Sequence, residues 1–303
     1  MPSAIFAVIL NYNGFDDTVR CLASIEAAGY DGLRIVLVDN ASPSGDGARL
    51  KERYPSHAVI LRGRNDGYAA GMNAGIRHAL AQGAEYVLVM NNDLVVEPGF
   101  LDGMLAHLTA RPAAGVVTCH ATLLAEPARR YHTAGRFSRL RCNIRPYPEK
   151  RLRAPLRVDF ISGCIFLARA DVFRDVGLLD ESFFLYFEDF EFSRRVSRRW
   201  ELWYVPNGSI RHKSGGGTRW SRYTPTYNYY VGRNRFLAFR SEPLPYRLYV
   251  AAYAVVNALG KTVATAVAAP KGREKRERIE ALWRGVFDGL RVFFGGTGQA
   301  PGH

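Results

Sequence analysis

Cysteine, methionine and tryptophan are each present only four times in 303 residues. The cysteines, Cys21, Cys119, Cys142 and Cys164, lie far apart and form no CxxC pair. That spacing excludes a thiolate metal site or a dithiol redox motif and leaves buried free thiols in a reducing compartment as the expectation. Acid is the scarcer charge: 28 Asp and Glu stand against 41 Lys and Arg, for a net charge of +13. A basic surface attracts polyanions, whether nucleic acid, anionic lipid or phosphorylated substrate. None of the basic stretches carries a helix-turn-helix, zinc-finger or RNA-recognition signature, so nucleic acid is not an expected partner. The N-terminal MPSAIFAVIL lacks a charged segment and a cleavage site. It reads as a first strand and not as a signal peptide, which implies a cytoplasmic setting. No internal repeat is present, and no uninterrupted apolar run reaches the roughly 20 residues of a spanning helix.

What is present is a chain with 48% hydrophobic residues, enough for one sizeable core and an appendage. Ala4 to Leu10 is continuously apolar, as in a strand buried on both faces. Asp16 or Asp17 suits the cap of a helix carrying Val19, Leu22 and Ile25 on one face. Leu33 to Val38 is a second strand, Ser44 to Tyr54 a short helix, and Ala58 to Leu61 a third strand. Ala69 to Ala81 is an Ala-rich helix and Tyr86 to Met90 a fourth strand. This alternation predicts an α/β fold, a mostly parallel sheet flanked by helices. Gly115 to Cys119 reads as a fifth strand, and Ala125 to Leu156, rich in Arg and Pro, as an irregular or hairpin insertion. Periodicity returns at Val158 to Ala168 and in a helix containing Glu188 to Arg198, and Leu202 to Val205 closes this part as a strand.

From Pro243 the character changes, so the chain divides into residues 1–242 and a C-terminal helical segment, 243–303. Leu248 to Ala269 is apolar but interrupted by Asn257 and Lys261. The charged run KGREKRER follows, then a second periodic stretch from Ile279 to Phe294. A pair of amphipathic helices is expected. Interleaved aromatic and basic residues suit the interface of a membrane with anionic lipid. Core packing, or a homodimer through these helices, suits them equally.

In open α/β sheets, ligands bind beyond the carboxyl ends of the strands. Polar words fall at those ends: Asn11-Tyr12-Asn13, Asp39-Asn40-Ala41-Ser42, Asn65-Asp66-Gly67 and Asn91-Asn92-Asp93. Each alone suits a turn or a cap. Together they point to one crevice.

The words VILNYNG (8–14), VDNAS (38–42), NDGYAAGMNAGI (65–76), MNNDLVVEPG (90–99) and GLLDESFFLYFEDFEF (177–192) resemble the family 2 glycosyltransferases of the GT-A, Rossmann-like fold. The resemblance spans about residues 4 to 240 and is nearest to rhamnosyltransferase-like members. It implies an inverting, metal-dependent transfer from a nucleotide diphosphate sugar, with dTDP-rhamnose the first expectation, to a hydroxyl of a glycan or lipid-linked acceptor in the cell envelope. UDP-galactofuranose or a UDP-hexose is the alternative donor, and a silent nucleotide-sugar-binding scaffold the alternative of another class.

The resemblance assigns Asp39 to the nucleoside, where a carboxylate accepts from a base N–H or a ribose hydroxyl. Tyr12 suits packing on the base or a structural aromatic. Asn11, Asn65, Asn73, Asn91 and Asn92 are further donor-site candidates. Gly67, Gly71 and Gly75 flank a helix start, where a close approach to diphosphate and close helix–sheet packing explain them equally. Asn91-Asn92-Asp93 stands at the DxD metal motif with Asn in the first place. Asp93 is therefore the expected principal ligand of Mg²⁺ or Mn²⁺, and His212, after the last strand and a turn, the second. Asp189 maps to the base that removes the acceptor proton, with Glu188 the runner-up. Ser214 to Thr218 suits a mobile cover over the donor, and Lys213, Arg219 and Arg222 suit phosphate oxygens. Asp159, Asp180 and Glu181 are read as structural.

Overall fold

The computed structural model describes residues 4–30, 32–213, 224–268 and 273–295. Ser214 to Thr218, Arg219 and Arg222 lie outside them. Two compact units emerge. The first comprises Met1–Phe137, Ile144–Glu181 and Asp189–Gly215, and the second Ser138–Asn143, Ser182–Glu188 and Gly216–His303. The helix that precedes residue 242 thus groups with the C-terminal helices, where the sequence puts a boundary after it.

The sheet unit begins with β1 (Ile5–Asn11), α1 (Phe15–Ala27), β2 (Leu33–Asp39), α2 (Asp46–Arg53), β3 (Ala58–Leu61), α3 (Tyr68–Ala81) and β4 (Tyr86–Asn91). It continues through β5 (Leu94–Val96), α4 (Asp102–Ala110), β6 (Ala114–Leu123), β7 (Arg130–Tyr131), β8 (Ala134–Ser138), β9 (Asn143–Pro146), β10 (Leu156–Val158) and β11 (Phe160–Ile161). It ends with β12 (Ile165–Arg169), α5 (Ala170–Val176), α6 (Glu188–Val196) and β13 (Glu201–His212). The main sheet runs β10-β13-β6-β12-β4-β1-β2-β3, with β5 on β13 and β7 on β6. β1 pairs in parallel with both β2 and β4, and β2 with β3, whereas β12 enters antiparallel to β4 and β6.

Side-chain alternation sorts the strands between two cores. Ile5, Ala7, Ile9, Leu37, Leu88 and Met90 pack with Cys21, Leu22 and Ile25 of α1 and Met104 and Leu108 of α4. Phe6, Val8, Leu10, Val38, Val87 and Val89 pack with Met72, Ile76 and Ala79 of α3 and Phe192 and Val196 of α6. Helices on both faces follow. In α3, a Cβ added at Gly71 would stand 2.5 Å from Leu10, and one at Gly75 2.3 Å from Val8. Close helix–sheet packing is therefore the reason for these two glycines.

Three expectations need correction. Asp16 and Asp17 lie in the first turn of α1, not at its cap, which is Gly14 and carries no side-chain cap bond; their charge still complements the helix N-terminus. β6 extends well past Cys119. β13 does not stop at Val205: the word Pro206-Asn207-Gly208, which reads as a turn, is a register shift between Tyr204 and Ser209, and the strand runs on to His212. A bulge accommodates turn-type residues without ending the strand.

The helical unit contains α7 (Pro225–Ala238), α8 (Leu244–Ala268) and α9 (Arg273–Phe293). Thr224 caps α7, its hydroxyl accepting from the N–H of Tyr227, with proline at the first helical position. Asn257 and Lys261 do not interrupt α8. It is the one helix among the described residues that is long and apolar enough to cross a membrane by length and composition, at Leu244–Val267. All four cysteines are free and buried, and burial pushes the Cys21 and Cys164 thiols up to about 12, which keeps them protonated.

Candidate active site

The four polar strand ends meet. Asn11 at the end of β1 is fully buried. Its amide donates to Asp39 Oδ1 (2.8 Å), Ser42 Oγ (3.2 Å) and Asp46 Oδ2 (3.2 Å), and its Oδ1 accepts from Thr18 Oγ1 (2.8 Å) and Asn92 Nδ2 (3.3 Å). A side chain so enclosed has no room for a ligand, so the expectation that Asn11 touches the donor is corrected: it fixes Asp39 instead. The Asp39 carboxylate also accepts from the Ser42 hydroxyl (2.6 Å) and N–H (3.0 Å). Asp46, the first residue of α2, completes this cluster and had no signal of its own in the sequence. Burial works to raise its carboxyl. Hydrogen bonds from Ser44, Asn11 and the backbone of Gly14 and Phe15 outweigh that and hold it below the usual range. Tyr12 is 47% exposed, open to a base on its face.

Asn92 is likewise occupied within the protein. Its amide donates to Thr18 Oγ1 (2.9 Å), the Gly14 carbonyl (3.3 Å) and Asn11, latching the end of β4 to the start of α1. Asn65 accepts from Asn40 Nδ2 (2.8 Å) and the Gly67 N–H (2.9 Å), so it shapes the turn into α3, where Gly67 takes φ 95°. Asn73 does not join the group. Both its amide atoms are bound to Leu179, and its nitrogen also to Glu181, far from the strand ends in sequence and buried. Glu181 in turn pairs with Arg77 (2.7 Å). Asp159 accepts from the Phe137 N–H (2.9 Å), also within the scaffold.

Asp93 and His212 are neighbours because β5 pairs antiparallel with β13, placing His212 opposite Leu94. The His212 Nε2 lies 3.0 Å from Asp93 Oδ1, and Lys213 N–H donates to the Asp93 carbonyl (2.9 Å). Adjacent ligands on a six-coordinate ion with bonds of about 2.1 Å stand about 3 Å apart. The pair therefore fits two positions on a divalent cation. Among the described residues no cluster of three or more His, Cys, Asp or Glu completes a cage, which leaves the remaining positions to phosphate oxygens and water. His212 is buried, with its Nδ1 unpaired and its ring 4.3 Å from that of Tyr131 in an edge-on contact. The Lys213 ammonium is held by both Asp17 oxygens (2.9 and 2.8 Å) rather than standing free for phosphate.

Asp189 reaches the same place through Gly163. Its Oδ2 accepts from the Gly163 N–H (3.0 Å) and its Oδ1 from the Phe190 N–H (2.8 Å). The Gly163 carbonyl accepts from the Tyr68 hydroxyl (2.7 Å), which lies 3.1 Å from Asn91 Oδ1. Loss of bulk water outweighs these backbone bonds and pushes the Asp189 carboxyl up to about 6. Glu188 is buried and belongs to the 182–188 segment of the other unit. Tyr131, on β7 within the stretch that reads as irregular, bonds its hydroxyl to Ser162 and feels the charges of both Asp189 and Asp93; burial above all raises its phenol. No sequence pattern pointed to Tyr131, and Tyr68, inside the word NDGYAAGMNAGI, carried no role of its own there.

Backbone strain gathers around these residues. Among described non-glycine residues, Asn13 (φ 50°), Ala41 (φ 60°), Cys142 (φ 45°), Tyr186 (φ 67°) and Phe187 (φ 75°) are left-handed, and all but Cys142 lie within three residues of Asn11, Asp39 or Asp189. Such conformations cost about 1–3 kcal/mol each and persist where surrounding bonds enforce them. The Asn13 N–H donates to Ser42 Oγ (2.9 Å), and its Oδ1 accepts from Ser44 Oγ (2.9 Å).

Residues 6–177 match the family described as "Glycosyl transferase family 2". The chain is 27% identical over 244 residues to "N-acetylglucosaminyl-diphospho-decaprenol L-rhamnosyltransferase" of Mycobacterium tuberculosis, covering 72% of this chain and 78% of that one. It is 25% identical to "dTDP-rhamnosyl transferase RfbF" of Shigella flexneri, covering 98% of each. Among solved structures, GalNAc-T7 with UDP, GalNAc and Mn²⁺ superposes with a TM-score of 0.59 at 17% identity. That match covers 92% of this chain, which spans about half (54%) of GalNAc-T7. This last likeness speaks to the fold alone, a GT-A sheet with flanking helices. With 172 of its residues inside the family match and rhamnosyltransferases among its relatives, the chain belongs to glycosyl transferase family 2, as a rhamnosyltransferase-like member with the GT-A fold.

Proposed function

We propose that this glycosyltransferase moves L-rhamnose from dTDP-rhamnose to a hydroxyl of a glycan or lipid-linked acceptor, in one displacement that inverts the anomeric carbon. The names of the two bacterial relatives, one a dTDP-rhamnosyl transferase and one acting on a decaprenol-linked acceptor, support the sugar and a lipid-linked acceptor. One observation carries the mechanism: separate hydrogen-bonded sets meet at the consecutive residues Asn91-Asn92-Asp93, one running from Asn92 through Asn11 to Asp39, one joining Asp93 to His212, and one running from Asn91 through Tyr68 and Gly163 to Asp189.

In this reading the acceptor oxygen attacks the anomeric carbon as the bond to the diphosphate oxygen breaks, and its proton passes to the Asp189 carboxylate. Backbone N–H groups of Gly163 and Phe190 orient that carboxylate, and its raised affinity for a proton suits a base working near neutrality. Asp39 receives the nucleoside, held rigid by Asn11 and Ser42, and Tyr12 offers its exposed ring to the base. Asp93 and His212 would hold Mg²⁺ or Mn²⁺, which supplies positive charge to the departing diphosphate.

The test is release of dTDP from dTDP-rhamnose, and transfer to a lipid-linked acceptor, with Mn²⁺ and with chelator. UDP-galactofuranose and UDP-hexoses serve as competing donors. Metal-dependent turnover that selects dTDP-rhamnose is expected. Faster turnover of a uridine donor would sink the choice of sugar, and binding without any release of nucleotide would sink the enzyme reading in favour of a silent scaffold.

A further inference from the structure

Helix α8 is built inside out. From Leu244 to Val267 every fully exposed position is Leu, Pro, Tyr, Ala, Val or Gly, with no charged side chain among them. Val256 is 66% exposed, Val263 64% and Val267 82%, with Leu248 and Leu259 in the same stripe. The hydroxyl of Tyr249, the one polar group on that face, is donated to the carbonyl of Leu140. The polar residues of the helix turn the other way, onto α7 and α9. Asn257 Oδ1 accepts from Arg235 (3.3 Å), Thr262 Oγ1 accepts from Trp283 Nε1 (3.1 Å), and the Lys261 ammonium stands 5.9 Å from the Tyr227 ring. Burial, aided by Arg235, pushes that ammonium down to about 8. A helix on a water-exposed surface has the opposite polarity, and a contiguous apolar face of this size marks a contact with something apolar.

We infer that α8 is a docking surface for an anionic lipid bilayer, lying flat in its interface with the apolar stripe in the acyl layer. Two features favour lipid over a second copy of the chain. Residues 224–303 carry 12 Lys and Arg against 5 Asp and Glu, so seven of the thirteen net positive charges sit in this last part of the sequence. Two parts of like net charge repel as they approach, whereas phosphate headgroups attract each of them. The stripe also runs about 37 Å, the length of the helix, without the polar rim usual in protein interfaces. Its inward polar bonds to α7 and α9 hold the helix on the protein, so it lies on a membrane rather than crossing one.

The full chain, purified in mild detergent and freed of it, is mixed with vesicles of phosphatidylcholine alone or with phosphatidylglycerol and floated on a density gradient. Co-flotation with the anionic vesicles is expected, weakened by high salt and by the neutral lipid. The combined change Val256→Glu, Leu259→Glu, Val263→Glu alters exposed positions only and lowers partitioning about a hundredfold or more. The milder Val256→Ser, Val263→Ser pair, with an unchanged thermal midpoint, gives a smaller loss in the same direction. Equal flotation of the triple variant overturns the inference. So does a lipid-free dimer, seen by sedimentation equilibrium, that the triple variant abolishes, since the stripe then belongs to a second copy.

Discussion

The two units treat polarity in opposite ways. In the sheet unit the central strands β1, β2 and β4 are apolar along most of their length, and a polar cluster forms where they end. In the helical unit the buried interior holds Arg233, Asn234, Arg235 and Arg278, while valines and leucines of α8 face outward. A sheet that buries both faces leaves its strand ends as the place for chemistry. A helical layer with its polar groups inside is designed for an apolar surrounding. The proposed reaction belongs to the first unit and the inferred bilayer contact to the second, and changes in each should separate the two.

The largest effect is expected at Asp189. Asp189→Asn lowers transfer by about a thousandfold while leaving nucleotide affinity within about twofold. In the parent, kcat/KM rises as pH increases through about 6, because the carboxyl must ionise to accept the proton. The same group affects stability with the opposite sign. Its folded value lies above the ordinary 3.8, so its contribution is full below about pH 4 and is lost as pH rises through 6. A pH–rate profile of the variant that keeps the acid limb would remove Asp189 from the mechanism.

Next come the metal candidates. Asp93→Ala and His212→Ala should each weaken dTDP binding in Mn²⁺ about ten- to a hundredfold and leave binding in chelator unchanged, as read by calorimetric titration. Equal affinities with and without Mn²⁺ in the parent would break the assignment.

Much of the sheet unit was legible because strands buried on both faces read as plain apolar runs, and β1 to β4 fall where those runs lie. The acidic site candidates were legible by resemblance to a family. What the sequence hid was the use of each amide. Asn11, Asn92 and Asn65 read as donor contacts because they stand at strand ends, but each spends amide atoms on the scaffold, Asn11 all of them, and that depends on partners 25 to 81 residues away. His212 reads as a residue after a turn, because Pro206-Asn207-Gly208 carries turn chemistry that β13 absorbs as a bulge. Asn257 and Lys261 read as interruptions of an apolar helix, because hydropathy along the chain does not say which face a side chain takes.

A moderate effect is expected at Asn234, in the helical unit. Its amide donates to the carbonyls of Leu185 (2.8 Å) and Tyr186 (2.7 Å), within the segment that contains the left-handed Tyr186 and Phe187. Asn234→Ala leaves two carbonyls without a donor and should destabilise the protein by about 2–4 kcal/mol. A thermal midpoint within a degree of the parent would mean that water replaces the amide.

The smallest effects are expected at glycines, and they differ in sign between the units. Gly75 of α3 lies so close to the sheet that an added Cβ would stand 2.3 Å from Val8 Cγ1 and 2.9 Å from Val38 Cγ2, both methyl groups of fully buried strand residues. Neither valine has space to retreat, so Gly75→Ala pushes α3 off β1 and β2 and costs about 1–3 kcal/mol. Gly260 of α8 is also mid-helix, but nothing lies within 4 Å of its added Cβ. There the methyl meets no obstacle and narrows the unfolded chain's freedom, so Gly260→Ala should stabilise by about 0.5–1 kcal/mol. Paired thermal melts of the two variants give the comparison directly. If Gly260→Ala destabilises instead, a surface already packs on that side of α8 in lipid-free solution, and the open face assigned to the bilayer is covered by protein.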